Sequence, residues 1–393
     1  MRRRGLNYRK GYPLMKKNLR KIIIISAIVL AVVCVIIGIV WFLKHRGKTY
    51  TQYTVKNEFE MPGNTDASFM MGEEGVIRYT RDGVSSYDSS GKELWNVSYE
   101  MSNPMGDVCG SYAAIADEGS INLYVLDGTG KVHKITTEHS IEYVSVAGNG
   151  VTAVWMNDGT KDYITVYKID GTKIVDMMTT TDEDGIPIAM DLSEDGTKLV
   201  TSYAAFEQNV LNNQLTFYNF GEVGSNYVDR LVGLKLYEDR LVADVEFAGN
   251  DTVVAFSDKG INIFSMEEYE EEGASINITD TIRSVAVSDE YIGVVTTNAQ
   301  NSDTVTIYKL DGDKEASKQL AESYEHFVIS GSDMIFYGGT SLYIVRIGGN
   351  DKAVITMSMD INGVYPVDDK RTYMIIGEKS LQTIYLEQSK DEK

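Results

Sequence analysis

The sequence predicts an all-β chain, a β-propeller of eight blades preceded by one N-terminal transmembrane helix. Three observations lead to this prediction. Residues 22–43 form one uninterrupted apolar run, eight hydrophobic strands recur after it at similar spacings, and several of these strands end in the same tight turn. A repeat of about 40–45 residues is typical of propeller blades.

Charge is distributed unevenly along the 393 residues, which carry 37 basic and 57 acidic side chains. Residues 1–48 hold twelve of the basic residues and no acidic one, so residues 49–393 have a net charge of −32. An acidic body of this kind repels phosphate backbones, and we therefore expect no nucleic-acid binding. Two cysteines in the whole chain exclude a disulfide-rich scaffold and a multi-cysteine metal protein.

The apolar run at residues 22–43 contains no charged residue. At about 1.5 Å per residue, a helix of this length crosses the roughly 30 Å hydrocarbon core of a bilayer. A buried core helix would usually have a polar face, and a cleavable signal peptide has a shorter apolar region. The run ends in Trp41 and Phe42, which are typical of the membrane interface. The sequence therefore predicts an uncleaved signal-anchor helix.

Flanking charge predicts the orientation of this helix. Nine basic residues lie in the tail at residues 1–21, and three follow the apolar run closely. The more basic side of a span stays in the cytoplasm. We therefore expect a cytoplasmic N-terminus, a single pass through the cell membrane, and an extracytoplasmic domain from about residue 44 onward.

A hydrophobic strand, usually with an aromatic residue, recurs eight times in this domain. Its copies end 37 to 51 residues apart, with a mean of about 43. They are residues 84–87, 121–124, 164–167, 215–218, 261–264, 305–308, 342–345 and 382–385. Upstream of most copies lies a second strand with alternating apolar residues, so each repeat is interpreted as a hairpin of two strands. The stretch from Asp313 to Tyr324 is interpreted as a connection between blades.

Several repeats continue into an Asp-Gly turn, as at Asp127-Gly128, Asp170-Gly171 and Asp311-Gly312. Asp-Gly favours tight turns because glycine, and less readily aspartate, accepts a positive φ. A solenoid of such all-β units is unusual, and sandwiches seldom repeat so regularly. Radial closure leaves only short and protected sheet edges, which favours the propeller. Eight blades is the predicted number, and seven is the alternative.

The domain boundaries follow from these patterns. Residues 44–64 form a juxtamembrane linker, in which a strand from Thr49 to Phe59 is expected to pair with the last blade, close the ring and seat it near the membrane. The propeller covers residues 65–387, and residues 388–393 form a charged tail.

One repeat carries a recognisable motif. The segment Val84-Ser-Ser-Tyr-Asp-Ser-Ser-Gly-Lys-Glu-Leu-Trp95 resembles the repeat of quinoprotein-like propellers, in which a strand is followed by Gly-Lys and then Trp. The other seven repeats keep the strand and turn but lack this tryptophan. The whole arrangement is similar to membrane proteins of Gram-positive bacteria that have one anchor, an extracellular quinoprotein-like or WD40-like propeller and no assigned function. This resemblance implies a fold and a location.

Quinoprotein enzymes hold their quinone near a calcium ion, often beside a disulfide of adjacent cysteines. Cys109 is the single cysteine after the apolar run, so that device is absent and we expect no cofactor. A lone cysteine is more often a small buried apolar residue than a nucleophile. His133 and His139 would share a face if one strand held both, but no further ligand follows at metal-binding spacing.

Acidic segments have a calcium-like composition at residues 182–185, 191–196 and 311–313, yet none completes a calcium-binding loop. They are interpreted as turns, with a weak calcium site as the alternative. The acidic run at residues 267–272 is interpreted as a solvated loop, with contact to a basic partner as the alternative. Common hydrolase, nucleotide-binding and zinc-protease motifs are absent from the sequence. We therefore identify no catalytic, cofactor-binding or metal-binding residue, although paired carboxylates at a sugar-cleaving site depend on the fold.

The expected function is a binding or scaffold module that holds a cell-envelope protein or polymer near the membrane. This expectation rests on the fold, which usually serves interaction, and on the missing catalytic motifs. One alternative is a hydrolase or lyase that acts on an extracellular polymer at a face of the propeller. Another is a ligand sensor, which would need a membrane partner because the cytoplasmic tail is short.

Overall fold

A computed structural model of the chain describes residues 27, 30, 49–61, 67–179, 185–207, 210–238, 240–367 and 371–388. The chain divides into two units, Met1–Lys48 and Thr49–Lys393. Of the first unit only positions 27 and 30 are described, and both are helical. The other residues of the apolar run at 22–43 lie outside the described part. Among the described residues, no helix has the length and apolar character needed to cross a membrane.

The second unit is built of β-strands. Its first sixteen strands are β1 (Gln52–Glu60), β2 (Ser68–Met71), β3 (Val76–Thr80), β4 (Gly83–Tyr87), β5 (Glu93–Ser98), β6 (Pro104–Cys109), β7 (Tyr112–Asp117), β8 (Asn122–Leu126), β9 (Val132–Thr136), β10 (Ser140–Val146), β11 (Thr152–Asn157), β12 (Asp162–Tyr167), β13 (Lys173–Thr179), β14 (Ile186–Leu192), β15 (Lys198–Glu207) and β16 (Val210–Asn219).

Two short 3-10 helices follow, Gly224–Asn226 and Val228–Arg230. The remaining strands are β17 (Leu231–Glu238), β18 (Val242–Ala248), β19 (Thr252–Ser257), β20 (Gly260–Ser265), β21 (Glu271–Asn277), β22 (Thr281–Val287), β23 (Tyr291–Thr297), β24 (Asp303–Lys309), β25 (Lys314–Gln319), β26 (His326–Ser330), β27 (Asp333–Gly338), β28 (Ser341–Arg346), β29 (Asp351–Thr356), β30 (Gly363–Pro366), β31 (Thr372–Ile376) and β32 (Ser380–Glu387).

The described strands form eight antiparallel sheets of four strands each. The predicted all-β propeller with eight blades is therefore confirmed, and the seven-blade alternative is wrong. Blades 1 to 7 each take four consecutive strands, from β2–β5 in blade 1 to β26–β29 in blade 7. The strands predicted from the sequence are the two middle strands of most blades, together with the closing strand from Thr49 to Phe59, which corresponds to β1. The other flanking strands are not predicted. The stretch from Asp313 to Tyr324, interpreted as a connection, contains β25, the fourth strand of blade 6.

Blade 8 joins the two ends of the described domain. It consists of β30, β31 and β32, and β1 from the N-terminal side completes it. The pairing of β1 with β32 runs from Gln52 opposite Glu387 to Glu60 opposite Ser380. A fourth strand from the opposite end of the domain closes the ring, since it leaves neither terminal blade with a missing strand.

The core lies between the blades. The buried apolar residues form eight clusters among the described residues, and each cluster joins one pair of neighbouring blades. The cluster between blades 8 and 1 includes Met374 and Ile376 on one side and Val76 and Tyr87 on the other. Every blade packs against two others. The apolar residues on both sides of its strands are therefore buried against the neighbouring blades.

First strands of neighbouring blades contact one another, so they line the centre of the ring. Antiparallel strands alternate in direction, and successive turns of a blade therefore lie on opposite faces of the ring. The turns after the first and third strands share one face. Tyr50 donates its backbone N–H to Lys352 O at 2.8 Å, beside the turn after the third strand of blade 7. We call this side the Thr49 face, because the described domain begins there.

Candidate functional site

Acidic side chains from the first strands of blades 2, 4 and 5 converge on the centre of the ring. Asp107 belongs to β6, Asp191 to β14, and Asp244 and Glu246 to β18. They line a cavity of about 620 Å³, which we call the channel. The channel also reaches Glu194 and Gly249 in the turns of the Thr49 face. Asp244 and Glu246 lie two residues apart on one strand, so their side chains point to the same side.

Two of these carboxylates connect neighbouring blades. The backbone N–H of Val146 in blade 3 donates to Asp107 Oδ2 at 2.7 Å. The backbone N–H of Phe247 in blade 5 donates to Asp191 Oδ2 at 2.7 Å. Backbone amides that point into a channel need such acceptors, because an unpaired buried N–H is costly.

Ser145 completes this series in blade 3. Its hydroxyl oxygen accepts the backbone N–H of Leu192 at 3.1 Å and donates to Asp191 Oδ1 at 2.9 Å. The side chains of Asp107, Ser145 and Asp191 therefore link blades 2, 3, 4 and 5 in order around the channel. Glu246 directly precedes Phe247 in blade 5, as Ser145 precedes Val146 in blade 3, so it holds the next position of the same series.

Burial raises the pKa values of all four carboxyls in the channel. The pKa of Asp191 rises to about 7, mainly because of burial and also because of the nearby Asp107 carboxylate. The pKa of Glu246 rises to about 8 through burial and the charges of Asp244 and Asp191. Burial likewise raises the pKa values of Asp107 and Asp244. Near pH 7 the Asp191 carboxyl is therefore partly ionised and the Glu246 carboxyl largely protonated, the combination that general acid–base chemistry uses.

Tyr143 and Cys109 also line this cavity. Burial raises the pKa of the Tyr143 hydroxyl, so that group stays neutral and can donate a hydrogen bond. Cys109 is half-buried, and burial together with the charge of Glu194 raises the pKa of its thiol to about 11. Because the thiolate is the reactive form, this thiol is poorly suited to act as a nucleophile.

A second cavity, of about 650 Å³, adjoins the first at Asp289, which lines both. Its walls come from turns of the Thr49 face in blades 6, 7 and 8, including Glu290, Ser332 and Pro366. The lining is mostly polar and carries further acidic groups, so the acidic character of the channel continues to its mouth.

The two histidines considered as metal ligands do not lie on one strand. His133 belongs to β9, which ends at Thr136, and His139 lies outside the strands and stacks on the Tyr163 ring with centroids 4.2 Å apart. The same-face argument therefore fails. No group of three or more histidine, cysteine or acidic residues in the described part has the arrangement of a metal site.

The acidic segments have different locations in the structure. Residues 182–184 lie outside the described residues. Asp191 lies inside β14, not in a turn as the sequence analysis expected, whereas Asp195 is in a turn and accepts the Thr197 N–H at 2.9 Å. Asp311 similarly accepts the Asp313 N–H at 2.9 Å, which is a turn-stabilising bond. Within residues 267–272, Glu270 is half-buried and Glu271 begins β21, so this run is only partly a solvated loop.

Trp95, the residue that carries the quinoprotein-like motif, connects two blades. It lies in β5 of blade 1, and its indole N–H donates to Gly128 O of blade 2 at 3.1 Å. A Cβ at Gly130 would lie 2.5 Å from the Trp95 ring, so the glycine of that turn is packed beneath the indole. The motif therefore has a structural role in joining blades.

The channel carboxylates were not predicted from the sequence. Their only local signal is an acidic residue between two apolar ones in a short strand. Asp191 lies between Met190 and Leu192, and Glu246 lies between Val245 and Phe247. That pattern also fits an ordinary strand with one face in water. Only the closed ring turns this face toward a shared centre.

Comparison with solved structures supports the propeller fold. The chain resembles BamB from Moraxella catarrhalis with a TM-score of 0.53 and 14% identity, over 86% of this chain and 98% of that one. It resembles Sqt1 from Saccharomyces cerevisiae with a TM-score of 0.53 and 12% identity, over 88% and 99%. It resembles AztD from Citrobacter koseri with a TM-score of 0.52 and 10% identity, over 74% and 86%. At these identities the likeness shows the fold alone.

No curated protein matches the chain in sequence. Residues 46–386, which include the closing strand and all eight blades, match a family of unknown function, DUF5711. The chain belongs to this family of unknown function (DUF5711).

Proposed function

We propose that this protein is a membrane-anchored, extracytoplasmic binding module that holds a cell-envelope protein or polymer near the membrane. The observation that carries the proposal is the closed ring of eight sheets, which presents two turn-rich faces and an acidic channel. Propellers commonly use such faces for recognition, and this step from fold to function is an analogy. The charge-free apolar run at residues 22–43 and the basic residues before it support the anchor and its orientation.

Membrane orientation is tested by labelling cysteines in intact cells with a membrane-impermeant maleimide. In a background with Cys34→Ser and Cys109→Ser, one variant carries Thr129→Cys, an exposed turn position of blade 2. The matched control carries Asn7→Cys in the basic tail. We expect Thr129→Cys to be labelled in intact cells and Asn7→Cys only after lysis. The reverse pattern, or equal labelling of both, would contradict the proposed topology.

The binding function is tested by chemical crosslinking in cells that carry the full chain with a C-terminal tag. The control is a tagged chain that keeps residues 1–48 and lacks the propeller. We expect a reproducible set of envelope proteins, or a bound envelope polymer, to co-purify with the full chain and to be lost in the control. Recovery of neither, with the tagged protein folded and at the cell surface, would overturn the proposal.

The channel carboxylates support a second candidate function, a hydrolase or lyase that acts on an extracellular polymer. Glycoside cleavage uses a pair of carboxyl groups, one of which is protonated near neutral pH. Glu246 has a raised pKa, and Asp244 lies beside it on the same strand. These two side chains are the ones to test, since Asp107 and Asp191 hold backbone amides of neighbouring blades.

The catalytic candidate is tested with purified full-length protein and envelope polysaccharides as substrates. If the channel is an active site, Glu246→Gln lowers the rate of polymer cleavage by about a hundredfold or more, the usual contribution of a general acid or base. Glu194→Gln, at an exposed residue of the same cavity, serves as the control and keeps the rate. Cleavage that survives Glu246→Gln and Asp244→Asn would exclude this site.

A further inference from the structure

Two neighbouring connections on the Thr49 face expose apolar and aromatic side chains. In blade 4 the connection between β16 and β17 covers residues 220–230, and in blade 5 the one between β20 and β21 covers residues 266–270. Tyr227 is 44% exposed, Val228 83% and Tyr269 42%. The rings of Tyr227 and Tyr269 meet edge to face with centroids 5.9 Å apart. We call these three residues the rim surface.

Hydrogen bonds hold the blade 4 connection in this conformation. The guanidinium of Arg230 donates to Phe220 O at 3.1 Å, and the Ser225 hydroxyl donates to Glu222 O at 2.6 Å. The Asn219 side chain donates to Glu268 O at 3.2 Å and so ties the two connections together. These hydrogen bonds therefore hold the connection in the conformation that exposes the Val228 side chain.

The backbone next to Val228 adopts an unfavourable conformation. Asp229 has a φ of 52° and Arg230 a φ of 62°, in the left-handed region that residues other than glycine rarely adopt. The corresponding connection of blade 6 is a tight turn at Asp311-Gly312, where glycine takes the positive φ. Strained backbone of this kind persists where the surrounding structure enforces it, and it concentrates at functional sites.

The two connections that carry the rim surface are rich in acidic residues. Residues 220–230 hold two acidic residues and residues 266–272 hold five, against the single Arg230. Lys235 in the adjoining strand β17 already pairs with Glu272. A negatively charged border repels anionic lipid headgroups and attracts lysine and arginine. The charge therefore favours a basic protein over a membrane surface as the occupant.

We propose that the rim surface docks a protein partner whose apolar pocket receives Val228 and the two tyrosines and whose border carries lysine and arginine. Aromatic anchors in an apolar centre with a charged border are typical of protein interfaces. This inference rests on the proposed binding function and names the surface and the partner chemistry for it. The connections belong to neighbouring blades, so the packing of blade 4 against blade 5 is what brings the two tyrosines together.

The test places a photo-reactive amino acid at single positions of the tagged full chain in living cells. Val228 and Tyr269 are the test positions. Asp311 is the matched control, because it is an exposed residue of the corresponding connection in blade 6. We expect a protein adduct of one size from both test positions and none from Asp311. Sequencing of the adduct should find the crosslink in a segment of the partner that contains lysine or arginine.

Two further variants separate this inference from the proposed function. Glu267→Gln with Glu268→Gln should lower the adduct yield from position 228 by about threefold or more, since border charges mainly steer association. Val228→Ser should lower co-purification of the same partner about fivefold, the effect of losing an interface anchor worth about 1 kcal/mol.

Different failures have different meanings. If envelope partners still co-purify with the Val228→Ser variant at the original yield, the rim surface is not the docking site, while the binding function stands. A lipid adduct alone, or a protein adduct insensitive to the two glutamate substitutions, would overturn the partner chemistry. If the unmodified full chain recovers no partner at all, the proposed binding function itself fails.

Discussion

Single residues decide whether the hairpin turns of the blades can form. Gly260 begins β20 with a φ of 137°, and a Cβ built there would lie 2.0 Å from Ile276 O of the next strand. Gly119 occupies the corresponding turn of blade 2 with a φ of 76°, and a Cβ there would have open space around it. Both glycines therefore have a positive φ, but a side chain would collide with the neighbouring backbone only at Gly260.

This difference predicts unequal effects of the same substitution. We expect Gly260→Ala to lower the free energy of unfolding by about 2–4 kcal/mol, because the collision with backbone adds to the cost of a positive φ. Gly119→Ala should cost about 1 kcal/mol, from the positive φ alone. Urea unfolding of the full-length variants, followed by tryptophan fluorescence, measures both. Equal losses of stability would show that the collision at Gly260 is relieved by a small backbone shift.

At the scale of the structural element, closure of the ring depends on the N-terminal segment that completes blade 8. Tyr50 is 5% exposed and packs in the cluster between blades 7 and 8, with the Arg371 guanidinium 5.0 Å from its ring centroid. It lies two residues before the start of β1, which pairs with β32 along eight residue positions. Burial of Tyr50 and pairing of β1 therefore stabilise the same closure of the ring.

Removing the Tyr50 side chain should weaken this closure. We expect Tyr50→Ala to lower the free energy of unfolding by about 3–5 kcal/mol, the usual cost of truncating a buried aromatic residue. Val55→Ala is the matched control, since Val55 lies in β1 and is 43% exposed, and it should change stability by less than about 0.5 kcal/mol. Denaturant unfolding measures both, and limited proteolysis should cut the Tyr50→Ala variant faster. A Tyr50→Ala variant as stable as the control would mean that closure does not depend on this packing.

At the scale of the whole molecule, the channel couples protonation to folding. The raised pKa values of Asp191 and Glu246 mean that the folded chain holds protons that the unfolded chain releases above about pH 4. The stability that these protonated groups contribute is fully present below about pH 4 and is lost as the pH rises through about 7 and 8. Four blades contribute to this site, so the effect belongs to the ring and not to one sheet.

We therefore expect the free energy of unfolding to fall by about 3–6 kcal/mol between about pH 5 and pH 8 because of Asp191 and Glu246. Glu246→Gln should flatten this slope, since the amide has no proton to lose. Glu194→Gln, which changes an exposed group of the same cavity, should keep it. Urea unfolding across this pH range measures the slopes, and parallel curves for all three proteins would contradict the assignment.

The sequence by itself determined the repeat and the Asp-Gly turns and favoured eight blades over seven, because strand alternation and turn chemistry depend on residues close together in the chain. The residues that line the channel could not be predicted in this way. Asp107, Asp191 and Glu246 lie far apart in the sequence, and each resembles an ordinary polar residue of a half-exposed strand. The flanking strands of the blades were missed for a related reason, since their pattern is weak until they pack in a sheet.

Only the tertiary structure decided where these residues meet. Closure by β1 completes a ring in which the blades follow one another in chain order, and that order places the carboxyls of blades 2, 4 and 5 in one cavity. It also sets two tyrosines of neighbouring blades edge to face on the Thr49 face. Burial and the distance between like charges then determine the pKa values, and both are properties of the closed ring and not of any local stretch of chain.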